Sequence, residues 1–119
     1  MIEVDAADVV RRHVEAFNAR DLDGLMAGFT ENALWVTGTS VARGHSELVE
    51  LFAGAMEGLL PTLAIRNLLA ESDRAACEMT ERLTWDGEER TFSIAGFYQV
   101  RDGRIASAKI YREGNAEIG

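Results

Sequence analysis

Residues 92–113, FSIAGFYQVRDGRIASAKIYRE, read as two long β-strands joined at Asp102-Gly103. A glycine after an aspartate supplies the positive φ that a two-residue hairpin turn needs. Along the first strand Phe92, Ile94, Gly96, Tyr98 and Val100 point one way, and Ser93, Ala95, Phe97 and Gln99 the other. Neither row is plainly polar, so the sheet is expected to be covered on both faces, by helices on one and by a partner on the other. Gly96 stands in mid-strand, where a missing side chain marks a bend or a close approach.

The turns upstream extend this pattern. Leu63 to Glu71, Ala75 to Trp85, Arg90 to Arg101 and Arg104 to Glu113 read as strands, separated by Ser72-Asp73-Arg74, Asp86-Gly87 and Asp102-Gly103. Before them the spacing is helical. Asp5 caps a helix carrying Val10, His13, Val14 and Phe17 on one face and running to about Arg20. Asp21 caps a short second helix through Leu22, Leu25, Met26 and Phe29, which Thr30, Glu31 and Asn32 break. Leu34 to Thr37 form a short strand, and Gly38 to Gly44 a loop. A third helix starts near His45 or Ser46 with Leu48, Leu51, Phe52, Ala55, Met56 and Leu59 on its apolar face, and Gly58 and Pro61 end it. An eleven-residue strand such as Ala75 to Trp85 would span about 36 Å if flat, too long for a domain of this size, so the sheet must curl around the helices. The expected fold is α+β: a cone-shaped barrel with three N-terminal helices packed in a strongly curved, mostly antiparallel sheet, and a cavity inside.

Composition narrows the partners. The 119 residues, 47% of them hydrophobic, suffice for one domain spanning 1–119 and one core. The formal charge of −8 and the scatter of the basic residues argue against nucleic acid or an anionic membrane surface. No apolar run approaches a membrane span, and MIEVDAADVV lacks the features of a signal peptide, so a cytoplasmic location is expected. One cysteine, Cys77, and two distant histidines offer no metal-binding spacing and no internal disulfide. No phosphate-binding glycine loop or nucleophile elbow occurs, which leaves cofactor-free chemistry or simple binding.

The helical start, the Asp21-Leu22-Asp23 turn, the Phe29-Thr30-Glu31-Asn32-Ala33 segment, the Arg43-Gly44-His45 helix start and the ending Gly96…Asp102-Gly103-Arg104-Ile105…Tyr111 resemble the SnoaL-like branch of the nuclear transport factor 2-like superfamily. That superfamily includes ketosteroid isomerases, polyketide cyclases, limonene epoxide hydrolases and non-catalytic members. Placed on the epoxide hydrolase pattern, the residues at the reacting positions are Trp35, Thr37, Arg82, Thr84 and Ile110, of which only Arg82 keeps its chemistry. Ile110 cannot act as a base, so epoxide hydrolysis by that mechanism is not expected. On the ketosteroid isomerase pattern the positions carry His13, Thr37 and Gly96, and His13 alone could replace the lost acid or base.

The resemblance turns one set of residues inward: His13, Phe17, Trp35, Thr37, Thr80, Arg82, Thr84, Ile94, Gly96, Tyr98, Ala108, Ile110 and Arg112. His13 and Arg82 are the candidate catalytic pair, and the others are candidate ligand contacts. Mostly apolar walls with a few polar groups suit a small hydrophobic ligand carrying an oxygen or a carboxylate. Bland readings stand beside these: His13 as a structural histidine, Arg82 paired to a strand carboxylate such as Glu78, Arg112 in solvent, and His45 on the surface. Two functions remain open. One is a cofactor-independent isomerase, cyclase or dehydratase, and the other a non-catalytic binding or scaffold protein. Met79, Leu83, Trp85, Ala95, Phe97 and Tyr111 alternate away from the expected cavity, and members of the superfamily commonly dimerise through that face, so a homodimer is expected.

Overall fold

The computed structural model describes residues 5–58 and 61–113. The elements run α1 (Ala6–Asn18), α2 (Leu22–Ala27), β1 (Phe29–Thr37), β2 (Ser40–Arg43), α3 (Gly44–Glu57), β3 (Thr62–Glu71), β4 (Arg74–Trp85), β5 (Glu88–Arg101) and β6 (Arg104–Glu113). The six strands make one curved, unclosed sheet in the order β2-β1-β6-β5-β4-β3, with the three helices packed in its concavity. Every neighbouring pair is antiparallel except β1 with β6, which is parallel. The expected α+β cone is therefore present.

Local chemistry sets the boundaries. The Asp5 carboxylate accepts from the Ala7 amide at 3.1 Å and starts α1, whose Val9, Val10, His13, Val14 and Phe17 are all buried. Asp21 accepts from the Gly24 amide at 2.9 Å and starts α2. Tight turns join the long strands, with Asp86-Gly87 and Asp102-Gly103 both at positive φ, as the primed hairpin turns require. Asn18 ties the end of α1 to β3, accepting from the Leu63 amide and donating to its carbonyl, both at 2.8 Å.

Two segments differ from expectation. The stretch after Gly38 is not a loop, since Ser40–Arg43 pairs with Leu34 to Thr37 as an edge strand. Four residues with one buried side chain, Ala42, leave too short an alternation to read. β1 also begins earlier, at Phe29, and reaches Leu34 through an irregularity in its pairing with β6. His45 is half-buried rather than on the surface, and its Nε2 donates to the Phe29 carbonyl at 3.2 Å, fastening α3 to the start of β1. Leu59, assigned by spacing to the α3 stripe, lies outside the described residues.

Candidate functional site

The concave face of the sheet and the helices α1 and α3 enclose a chamber of about 240 Å³. The chamber floor comes from alternate residues of three adjacent strands. Cross-strand pairing sets Met79 beside Ile94 and Glu81 beside Phe92, while Ile94 faces Arg112 and Tyr98 faces Ala108. β1 adds Trp35 and Thr37, in register with Ala108 and Ile110. The helices contribute His13 and Phe17 from α1 and Phe52 from α3.

His13 stands in a cage of rings. The centroids of Trp35, Phe29, Phe52 and Tyr98 lie 5.4, 5.6, 5.9 and 6.1 Å from its own. At 7% exposure it is desolvated, which lowers its pKa from 6.5 to about 4 and keeps the imidazole neutral at pH 7. Among the described residues its Nδ1 has no hydrogen-bond partner, and neither does the Tyr98 hydroxyl, although Tyr98 is only 3% exposed. Burial pushes the Tyr98 phenol well above its ordinary value, so it keeps its proton and can donate. Two other unpartnered hydroxyls, Thr30 and Ser93, are not part of the chamber.

Gly96 explains how Tyr98 is aimed. A Cβ at position 96 would stand 2.5 Å from the Tyr98 hydroxyl oxygen and 2.6 Å from its ring, so the tyrosine lies back along β5 over the bare glycine. The close approach expected from the mid-strand glycine is thus a side chain folded over it.

At the open end Arg112 reaches across to Glu81. Its Nη2 donates to both carboxylate oxygens, at 2.8 and 2.9 Å. Glu81 is 7% exposed, whereas half of the Arg112 side chain meets solvent, and its guanidinium also lies 5.9 Å from the centroid of Phe92. The chamber therefore contains a carboxylate that the reading of the sequence left out.

Of the residues expected inside, His13, Phe17, Trp35 and Thr37 from the first half of the chain line the chamber, as do Ile94, Tyr98, Ile110 and Arg112 from the second. Thr80, Arg82 and Thr84 do not. They occupy the opposite face of β4, where Arg82 is 62% exposed and meets Glu89 at 3.5 Å, while Glu78 accepts from Asn67 instead. Met79 and Leu83, expected outside, face inward with Glu81. Side chains alternate, so placing β4 one residue out of phase exchanges its two rows. The apolar series Cys77, Met79, Leu83, Trp85 carries the correct phase, and Glu81 falls within it.

Among the described residues no helix is long and apolar enough to cross a membrane, and no group of three His, Cys, Asp or Glu side chains could hold a metal ion. No curated protein matches the sequence. Solved structures do. A nuclear transport factor 2-like protein of unknown function from Burkholderia pseudomallei is 20% identical with a TM-score of 0.85, over 94% of this chain and 93% of that one. An epoxide hydrolase of the limonene type from Mycobacterium tuberculosis is 22% identical with a TM-score of 0.82, over 91% and 82%. A protein from a soil-derived mobile gene cassette is 21% identical with a TM-score of 0.81, over 90% and 88%. At such identities these similarities carry the fold alone. The model of the SnoaL-like domain matches residues 10–108, from the middle of α1 to the Ala108 that faces Tyr98, and with the helix-filled cone described above it makes this chain a member of the SnoaL-like domain family.

Proposed function

We propose that the chamber binds a small, largely apolar carbonyl compound and moves a proton on it without a cofactor, as an isomerase, cyclase or dehydratase does. The observation that carries this reading is the pair of buried, unpartnered polar atoms, His13 Nδ1 and the Tyr98 hydroxyl, in one chamber walled by hydrocarbon and aromatic rings. A buried polar atom without a partner costs about 1–3 kcal/mol, so two in one pocket fit a ligand that satisfies both. Tyr98 donates to the carbonyl oxygen. The neutral His13 takes a proton from the neighbouring carbon, and the electron pair of that C–H bond moves onto the oxygen that Tyr98 holds. The imidazolium and the enolate attract each other in a low dielectric, which offsets the desolvation that makes free His13 a weak base. Returning the proton to a different carbon completes an isomerisation.

A value near 4 also favours the other reading, in which the cavity holds a ligand without turnover. Exchange of the α-protons of cyclohexanone in deuterated water, followed by NMR, separates the two. On the catalytic reading the wild type accelerates exchange, and His13→Gln, which retains hydrogen bonding, slows it by a factor of about 100 to 10,000 while cyclohexanone affinity stays nearly constant. Binding without accelerated exchange in the wild type would leave only the holding function. Full exchange activity in His13→Gln would remove His13 as the base.

A further inference from the structure

Outside the Glu81–Arg112 pair the cavity continues. A vestibule of about 440 Å³ shares Ala55, Pro61, Glu81 and Arg112 with the inner chamber, so that the ion pair stands at the junction of the two. Its walls are Leu83, Trp85 and Phe92, and a second guanidinium, Arg90, enters from β5. The pairing explains the convergence, because Arg90 sits opposite Leu83 and Phe92 opposite Glu81, on the face that also carries Arg112. In a chain of net charge −8, two arginines thus meet at one opening, lined by the Glu81 carboxylate and with Glu88 beside Arg90. The Glu81 carboxylate is already engaged by Arg112 Nη2, leaving the Nε and Nη1 donors of the same guanidinium. Among the described residues Arg90 meets Glu88 loosely, at 3.8 Å, and is half exposed. Trp85, 51% exposed, gives the same opening a bare aromatic surface.

From this arrangement we infer that the ligand is amphiphilic: an apolar body reaching into the chamber, with a carboxylate at its outer end received in the vestibule by Arg112 and Arg90. This inference deepens the function proposed above and rests on it for the placement of the inner end. Arginine suits the task because its fixed charge and several N–H donors favour a carboxylate, and Glu81 holds Arg112 at the junction through Nη2 while Nε and Nη1 remain as donors. The aromatic walls would cover the chain between the two ends.

The test compares three aryl ketones by calorimetry at low ionic strength: 5-oxo-5-phenylpentanoate, its methyl ester, and butyrophenone, which has no acid. The acid is expected to bind about tenfold more tightly than the ester, the size of one good charged hydrogen bond. Arg90→Gln, a change at an exposed residue, should remove most of that advantage and leave butyrophenone affinity as it was. Arg112→Lys keeps a cation for Glu81 but lacks the Nε and Nη1 donors, and should also reduce the advantage. An acid that binds no better than its ester, or an advantage that survives in both variants, overturns the inference while ketone binding still supports the chamber. Binding of the acid with no binding of butyrophenone or the ester would sustain the vestibule and refute the chamber reading. Failure of all three to bind would refute both.

Discussion

Acidifying the protein should destabilise it through His13, by an amount that follows from its burial. The native imidazole has a pKa of about 4 against 6.5 when solvated. Between those values the unfolded chain binds a proton that the native chain refuses, so stability rises with pH there. The contribution is therefore absent above about pH 6.5, grows as the pH falls, and levels off below about pH 4. A separation of about 2.5 pH units corresponds to about 3 kcal/mol, of which about 2 kcal/mol is already lost at pH 5. Other ionisable groups contribute to the pH dependence of stability, so the measurement must be differential. Urea unfolding of the wild type and of His13→Gln would be followed at pH 7.5, 6, 5 and 4, comparing slopes rather than absolute stabilities. With a urea m-value of about 1.5 kcal/mol per molar, the wild-type midpoint should fall by about 2 M more than that of the variant between pH 7.5 and pH 4. Parallel slopes would mean that His13 is hydrated or paired, contrary to its cage of Phe29, Trp35, Phe52 and Tyr98.

Gly96→Ala should cost about 1–3 kcal/mol in urea unfolding, because the new methyl group collides with Tyr98; a variant as stable as the wild type would show that the ring does not rest on Gly96. Arg112→Gln should cost about 1–2 kcal/mol by stranding the buried Glu81 carboxylate, less than for a fully buried pair because Arg112 is half exposed; an unchanged urea midpoint would show that Glu81 does not depend on it. The outer face of the sheet exposes Phe97 and Tyr111, whose rings meet edge to face at 5.9 Å, and Leu69. If two copies pair through this face, light scattering at micromolar concentration should give a dimer for the wild type and a monomer for Phe97→Glu. A monomeric wild type would dispose of the idea.

The sequence announces this fold mainly through local signals. Asp5, Asp21 and the Asp-Gly turns act within four residues of themselves, so their effect can be read without knowing the rest of the chain. His13 and Phe17 were legible for a similar reason, as members of the apolar stripe of α1, while Trp35 and Tyr98 were placed inward by the family resemblance. β4 was not. Its inward row places Glu81 between Met79 and Leu83, and a carboxylate in a buried row makes sense only once Arg112, 31 residues away in sequence, is known to meet it. The outward row, with Thr80, Arg82 and Thr84, was set inside by the resemblance to the epoxide hydrolase pattern rather than by the phase of the apolar residues on β4. β2 was missed because its four residues, with Ala42 alone buried, are too few to show an alternation, and its pairing with β1 is what makes it a strand.

The position of β6 in the sheet bears on how the chain acquires its structure during synthesis. It lies between β1 and β5, so β1 and β2 can join the main sheet only after the last strand has been made. Closing the parallel pair brings Trp35 to Ala108 across most of the chain, a long loop whose entropy must be overcome before the contact is rewarded. At ribosomal rates of about 5–20 residues per second, β1 waits several seconds or more for its partner. During that interval Trp35 and Phe29 have no finished sheet to cover them. Nascent chains arrested before Arg104 should be sensitive to proteases and to chaperone capture, and chains with β6 clear of the exit tunnel should not.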